Sequence, residues 1–251
     1  MIWERLTGQL LSLCVVVLMA CVAASFIAMF RRKTVQPIWL LWGLLLVILN
    51  ATILIFGKAI QQSLPLTSFL EWNWLGKFAA TAMTLIAMHF FLRLSAREMG
   101  MTLRQNPGSL LPATCGLGLM CAIDWTIAAL SPGISRLTVE SIAFQALMPS
   151  LEEELFFRGI LFVLLAKAFA DSWSFAGTRI GMAVVMNVLI FGGMHAVSFP
   201  ELHFAFNTQA FLTSGVFAAV ACWMRERTGS LLFPFITHSA VNLGYVFLGS
   251  A

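Results

Sequence analysis

The sequence predicts an all-α fold, a polytopic membrane helix bundle with about eight transmembrane helices. Hydrophobic residues make up 60% of the 251 residues and charged residues only 10%, whereas soluble domains average about 45–50% apolar and about 25% charged residues. The mean hydropathy of +0.90 points the same way. Apolar runs of about 20 residues, the length that crosses the hydrocarbon core as a helix, recur along the chain. This composition excludes an ordinary soluble domain.

Each predicted helix corresponds to one apolar run. In chain order the runs are residues 9–30, 36–57, 74–94, 109–130, 141–167, 179–199, 207–224 and 230–250. The connections are short, and the longest, Lys58–Asn73, carries Ser, Pro and Thr rather than a soluble domain. The connection Arg97–Ser109 is predicted to form a short amphipathic helix on the cytoplasmic surface, ended by Asn-Pro-Gly.

Basic residues predict the orientation of these helices. The first run is too long for a signal-peptide core, and its basic cluster follows it, so we interpret it as a retained anchor with an external amino terminus. Alternating helices then put ten basic residues on the cytoplasmic side: Arg31, Arg32, Lys33, Arg93, Arg97, Arg104, Lys167, Arg179, Arg225 and Arg227. Four fall outside: Arg5, Lys58, Lys77 and Arg136. The excess predicts that both termini are non-cytoplasmic. The net charge of +4 therefore reflects topology and indicates no nucleic-acid partner.

Three consecutive glutamates and an arginine interrupt the fifth apolar run, in the segment LEEELFFRG at residues 151–159. Each charge near the bilayer centre costs at least about 2.5–3.5 kcal/mol on insertion scales, so the cluster needs a reason. Glu154 and Arg158 are four residues apart and can pair on one helix face. Glu153 lies about 100° around the helix from Glu154 and has no cation on its own helix. Its partner must come from another helix or from water. A carboxylate in such an apolar setting is more basic than in water, and a general base needs this property. The alternative function of the charged cluster is structural, as an ion pair that only holds the bundle together. The sequence assigns no role to Glu152.

Two further polar sets lie in later apolar runs. In FGGMH, His195 follows Phe191 by four residues, and the two intervening glycines permit close helix approach. In HSAVN, His238 and Asn242 are four residues apart and project from one face of the last helix. A single intramembrane histidine is usually a packing residue, but two histidines with an asparagine and a glutamate pair predict a functional site.

These segments resemble, in order, the motifs EExxxR, FxxxH and HxxxN of the CPBP family, which includes the CAAX prenyl endopeptidases and bacteriocin-processing enzymes. The resemblance covers residues 141–246. We therefore interpret the chain as one integral membrane domain. Residues 1–140 form helices 1–4 without a recognised motif, and residues 141–251 form a catalytic CPBP-like four-helix core.

The resemblance implies an intramembrane endopeptidase of glutamate type, without a cofactor or a bound metal. In that scheme Glu153 and His195 activate a water, while His238 and Asn242 stabilise the oxyanion. The pair of Glu154 with Arg158 supports the site. The implied partners are the lipid bilayer, here that of a bacterial cell, and a membrane-associated protein or peptide substrate. Family substrates are prenylated CAAX proteins, leader peptides or proteins that carry a sorting signal.

Three other functions fit parts of the pattern. Two histidines and a glutamate are a familiar zinc ligand set, although the sequence has no HExxH and Asn242 suits hydrogen-bond donation better than zinc ligation. A proton-coupled transporter would use intramembrane Glu, Arg and His, with Asp124, Asn50 and Asn187 on the same pathway. No internal repeat links the two halves, which argues against a carrier. A non-catalytic immunity protein on the same scaffold is the third alternative.

Overall fold

The computed structural model describes residues 2–30, 35–131, 133 and 137–249. Four of the basic residues used for the orientation, Arg31, Arg32, Lys33 and Arg136, lie outside the described residues. The α-helices are α1 Ile2–Phe30, α2 Pro37–Ser63, α3 Trp74–Ile86, α4 Leu110–Ala129, α5 Val139–Glu153, α6 Phe162–Ala168, α7 Met182–Ala196, α8 Thr208–Thr228 and α9 Leu232–Leu248. Two π-helices extend them, Ala87–Phe91 after α3 and Glu154–Leu161 between α5 and α6.

Four of the described helices are long and apolar enough to cross a membrane: Trp3–Phe30, Pro37–Ser63, Trp74–Phe91 and Leu110–Ala129. Helices α7 and α9 are apolar but shorter. The fifth predicted run corresponds to the continuous helical segment from α5 through α6, in which the charged cluster lies. The predicted all-α membrane bundle is thus confirmed, and the chain is an integral membrane protein.

Two β-hairpins flank α7, and each takes one strand from an end of the predicted run 179–199 and the other strand from the adjoining connection. Strands β1 (Trp173–Phe175) and β2 (Thr178–Ile180) pair antiparallel, as do β3 (Val197–Ser198) and β4 (Ala205–Phe206). The predicted run 179–199 therefore loses residues at both ends. At its start, Gly181 packs so closely against the carbonyl oxygen of Asp171 that a Cβ would collide with it. Helix α7 begins only after this contact.

The segment Arg97–Ser109 forms turns, so the predicted amphipathic helix is wrong. Some of its backbone groups form local turns, and two of them pair with a distant segment. The N–H of Asn106 donates to the carbonyl of Thr228 at 2.8 Å, and the N–H of Leu231 donates to the carbonyl of Gly100 at 2.9 Å. Gly100 adopts φ +76°, a left-handed conformation that interrupts a helix and favours glycine. Tertiary hydrogen bonds thus override the local pattern.

The chain divides into two compact units, each built from segments on both sides of residue 140. The first comprises residues 1–55 and 161–223. In it α1 packs against α7, and Gly193 lies directly against Val16, so that a Cβ at this glycine would come within 3.3 Å of the valine side chain. Small residues of this kind allow membrane helices to approach closely.

The second unit comprises residues 56–160 and 224–251. Here α9 packs against both α4 and α5, while α3 packs against α5. At the contact of α4 with α9, the Trp125 indole lies over Gly244, and its N–H donates to the carbonyl of Ala240 at 2.9 Å. This unit brings α3, α5 and α9 around the charged cluster.

Candidate active site

The helix that carries the glutamates changes its winding within the cluster. Thr138 caps its start, accepting a hydrogen bond at 3.0 Å from the N–H of Ser141. Pro149 lies inside α5 and leaves one helical carbonyl without its usual donor. The α-helix ends at Glu153, and the π-helix begins at Glu154. A π-helical stretch inside an α-helix is rare and is frequently found at functional sites.

Glu154 lies at the centre of a buried ion pair. Arg158 Nη1 donates to Glu154 Oε1 at 3.2 Å, and His238 Nδ1 lies 2.7 Å from the same oxygen. The exposed fractions of Glu154 and Arg158 are 1% and 0%. A carboxylate and a guanidinium this deeply buried must be paired, because each alone would keep the full penalty of losing its hydration. Glu154 and Arg158 therefore depend on each other.

Glu153 and Glu152 share a cation that comes from another helix. Lys77 on α3 places its Nζ 2.6 Å from Glu153 Oε1 and 2.7 Å from Glu152 Oε2. Lys77 is 8% exposed and Glu152 is fully buried. The sequence-based assignment of Lys77 to the outside loops is therefore wrong. Its position inside the predicted run 74–94 was the signal, since a cation within an apolar span usually faces an acidic partner.

His238 connects the two neighbouring glutamates. Its Nδ1 contacts Glu154, while its Nε2 lies 3.9 Å from Glu153 Oε2. The register of α9 on α5 is fixed one residue later, where Ser239 Oγ lies 2.8 Å from the carbonyl oxygen of Ala146 and 2.9 Å from Ser150 Oγ. This contact holds the buried imidazole beside both carboxylates.

Asn242 follows His238 by one helical turn on α9 and is half-buried. Residues four apart project from the same helix face, as the sequence predicts. A mainly apolar cavity of about 480 Å³ adjoins the cluster and includes Glu154 in its lining. Its other walls include Leu151 and Leu155 next to the cluster and Phe235 on α9. The charged cluster thus borders a space that suits an apolar group.

A carboxylate outside the charged cluster, that of Glu140, fixes the start of α3 against the start of α5. It accepts hydrogen bonds at 3.0 Å from the backbone N–H groups of Glu71 and Trp72, and at 3.0 Å from the indole of Trp74. The Trp72 indole donates to Ser141 Oγ at 3.1 Å. Partial burial opposes ionisation of Glu140, but these hydrogen bonds outweigh it and hold the pKa of its carboxyl below the usual value. This clamp determines where α3 presents Lys77.

His195 belongs to the first unit and lies near the end of α7. Its Nδ1 is 2.8 Å from the carbonyl oxygen of Phe191, and the rings of these two residues have centroids 4.5 Å apart. Because a carbonyl can only accept, Nδ1 carries the proton of this contact, and in the neutral imidazole Nε2 is then an acceptor. The glycine next to Phe191, Gly192, packs against the ring of Phe211.

Among the described residues, no group of three or more His, Cys, Asp and Glu side chains is arranged to hold a metal ion. In the second unit the potential donors already face other groups. One oxygen of Glu153 contacts the Lys77 ammonium, and Nδ1 of His238 contacts Glu154. A zinc ion bound by Glu153 at this oxygen would have to displace the Lys77 ammonium from the carboxylate.

Comparison with known proteins supplies the family. Residues 135–244 match the family model described as Type II CAAX prenyl endopeptidase Rce1-like. The matched segment contains the glutamate pair, His195, His238 and Asn242, and it leaves out α1–α4. No curated protein and no solved structure matches the chain. Over residues 135–244, somewhat less than half of its length, the chain is therefore similar to the Rce1-like type II CAAX prenyl endopeptidases, a family of proteases.

Proposed function

We propose that this protein is an intramembrane endopeptidase of glutamate type, in which Glu153 is the general base. The observation that carries the proposal is the position of His238, between Glu153 and Glu154, with Lys77 and Arg158 as counter-charges. An ion cluster of this size in an apolar helix is costly, and catalysis gives a reason for keeping it.

The reaction is hydrolysis of a peptide bond by water. Glu153 takes a proton from the water while the water oxygen forms a bond to the peptide carbonyl carbon, and the family resemblance implies that His195 assists this activation. The carbonyl oxygen becomes an oxyanion that His238 and Asn242 stabilise by hydrogen bonds. The C–N bond then breaks, and the proton held by Glu153 passes to the leaving amine. The products are one new carboxyl terminus and one new amino terminus.

The oxyanion role requires a proton on both nitrogens of His238, since Nδ1 faces the Glu154 carboxylate. Among the described residues of the cluster, three carboxylates face two cations, Lys77 and Arg158. In this scheme Glu154 with Arg158 positions the imidazole, and Glu153 performs the proton transfer.

The substrate is a membrane-associated protein or peptide, and the cavity beside Glu154 would receive an apolar part of it. The candidates are a prenylated CAAX protein, a leader peptide and a protein with a sorting signal. The test is to incubate the purified protein in liposomes with one substrate of each class and to identify new termini by mass spectrometry. We expect one class to be cleaved at a single bond. Cleavage that is unchanged in a Glu153→Gln preparation would contradict the proposed function.

The protein is further proposed to lie in a bacterial cell membrane with both termini on the non-cytoplasmic side. The basic residues still favour this orientation once Lys77 is taken out of the external set, because ten remain opposite Arg5, Lys58 and Arg136. Alkaline phosphatase fused to the carboxy terminus should be active, and fluorescence of a green fluorescent protein fused there should be absent. The reverse pattern would invert the topology.

A further inference from the structure

We propose that Lys77 is a positioning residue for Glu153, holding one carboxylate oxygen so that the other faces His238. This inference rests on the proposed function, because it presumes that Glu153 is the base. Lys77 lies on α3, outside the segment that matches the protease family. The amino-terminal part of the chain would therefore contribute to the active site.

The contacts of Glu153 support a positioning role. Lys77 Nζ is 2.6 Å from Glu153 Oε1, whereas Oε2 lies 3.9 Å from His238 Nε2. The two oxygens of the carboxylate are therefore directed to different groups. A glutamate side chain has several rotatable bonds, and a charge-assisted hydrogen bond to one oxygen restricts the direction of the other. The oxygen on the histidine side is then placed for proton transfer.

Lys77 is held in place both at its ammonium group and at its backbone. Its ammonium also contacts Glu152 Oε2 at 2.7 Å, and an ammonium has three donors, so it can serve both carboxylates at once. Its backbone N–H donates to the carbonyl of Asn73 at 3.1 Å, in the first turn of α3. The Asn73 side chain caps that turn by accepting from the N–H of Gly76 at 3.1 Å. The lysine thus projects from a fixed helix start.

Close backbone packing and the Glu140 clamp limit movement of this helix start. A Cβ on Gly57 of α2 would collide with the backbone of Gly76, so α2 and α3 touch at this point. Glu140 joins the residues just before α3 to the start of α5 through three hydrogen bonds. Together these contacts define the distance between Lys77 and the glutamates.

A simpler role for Lys77 is charge compensation, in which any arrangement that balances the buried carboxylates would suffice. The two roles differ when the lysine and Glu152 are neutralised together. The double variant Lys77→Met/Glu152→Gln removes one positive and one negative charge, so the net charge of the cluster stays as in the wild type. If Lys77 only compensates charge, the double variant should keep its activity. If Lys77 positions Glu153, the double variant should lose activity although its net charge is unchanged.

The experiment compares the double variant with Glu152→Gln alone and with wild type, in liposomes, using the substrate that the wild type cleaves. We expect the double variant to melt close to the Glu152→Gln protein, with an unchanged KM and a kcat lowered about 10²-fold, as for a misplaced reacting group. Lys167→Met is the matched control, because Lys167 lies over the Trp39 ring, 4.9 Å from its centroid, in the first unit. It should keep wild-type kcat.

A kcat for the double variant within about threefold of the Glu152→Gln value would overturn the inference. A second variant, Lys77→Arg, retains the charge and changes the donor geometry, so it tests the same point if the double variant folds poorly. We expect folded Lys77→Arg protein with lowered kcat and unchanged KM, and wild-type kcat would contradict the positioning role.

Glu153→Gln, measured alongside, separates the role of Lys77 from the proposed function. If it is inactive while the double variant is fully active, only the role of Lys77 fails, and if it is active the proposed function fails.

Discussion

At the scale of single residues, two adjacent glutamates differ in the origin of their partners. Glu154 pairs with Arg158 along its own helix, an i,i+4 contact that helix periodicity predicts from the sequence. Glu153 pairs with Lys77, 76 positions earlier in the chain. No local rule predicts that contact, because it depends on the packing of α3 against α5. The sequence could predict only that the partner of Glu153 had to come from outside its helix.

The different partners predict different stabilities for two alanine variants. Glu154→Ala leaves the fully buried Arg158 without its carboxylate, a change that costs about 3–5 kcal/mol for a buried pair. Glu153→Ala affects a side chain that is 16% exposed and leaves Lys77 with Glu152. We therefore expect Glu154→Ala to melt at a lower temperature and to give less folded protein than Glu153→Ala. Equal melting temperatures in the same detergent would argue against this division.

At the scale of elements, the sequence predicted the extent of most helices but not their local winding. The run 141–167 is helical throughout, yet its middle, Glu154–Leu161, is a π-helix, which apolar periodicity does not predict. Residues Arg97–Ser109 looked amphipathic and instead form turns. For Arg97–Ser109 the backbone hydrogen bonds to Thr228 and Leu231 come from a segment distant in the sequence. Apolar periodicity contains no information about such contacts.

The clamp between α3 and α5 predicts a pH-dependent stability. The pKa of Glu140 is held below its usual value in the folded protein, so the ionised carboxylate stabilises the fold above the unfolded-state pKa of about 4.3. This contribution is lost as the pH falls through the lower folded-state pKa. We expect Glu140→Gln to melt below wild type at pH 7, and the difference to shrink as the pH falls below about 4.

Thermal melts of both proteins between pH 7 and pH 3 would measure this effect. Glu201→Gln is the control, because Glu201 is exposed and belongs to the first unit, apart from the clamp. Its melting curve should follow wild type at every pH. A Glu140→Gln difference that stays constant across the whole range would mean that the charge of Glu140 does not stabilise α3.

At the scale of the whole molecule, the charged cluster includes a residue that lies outside the segment matched by the family model. The match covers residues 135–244, and Lys77 lies before it. The motif residues Glu153, Glu154, Arg158 and His238 meet in one compact unit, while His195 belongs to the other. The sequence supplied the motif residues through their order and spacing. It could not supply Lys77, whose role depends on how the helices of the second unit pack.

The whole purified protein should need no zinc. The proposed chemistry uses Glu153 as the base and His238 as an oxyanion donor, so no ligand set remains for an ion. We expect elemental analysis of the active fraction to give far less than one zinc per chain, and activity to survive prolonged chelation. Zinc bound one-to-one, lost together with activity and restored with it, would make His195 and His238 ligands and replace the glutamate mechanism.

The central claim is that Glu153 performs the proton transfer, and the activity of Glu153→Gln tests it most directly. Glutamine keeps the size and shape of the side chain, so it can still accept from Lys77, but it cannot take a proton from water. The measurement is the initial cleavage rate of purified, folded variant in liposomes, with its melting temperature as the check on folding. The account predicts a rate lowered by orders of magnitude at near-normal folded yield. A variant that keeps more than about a tenth of wild-type activity would show that Glu153 is not the base.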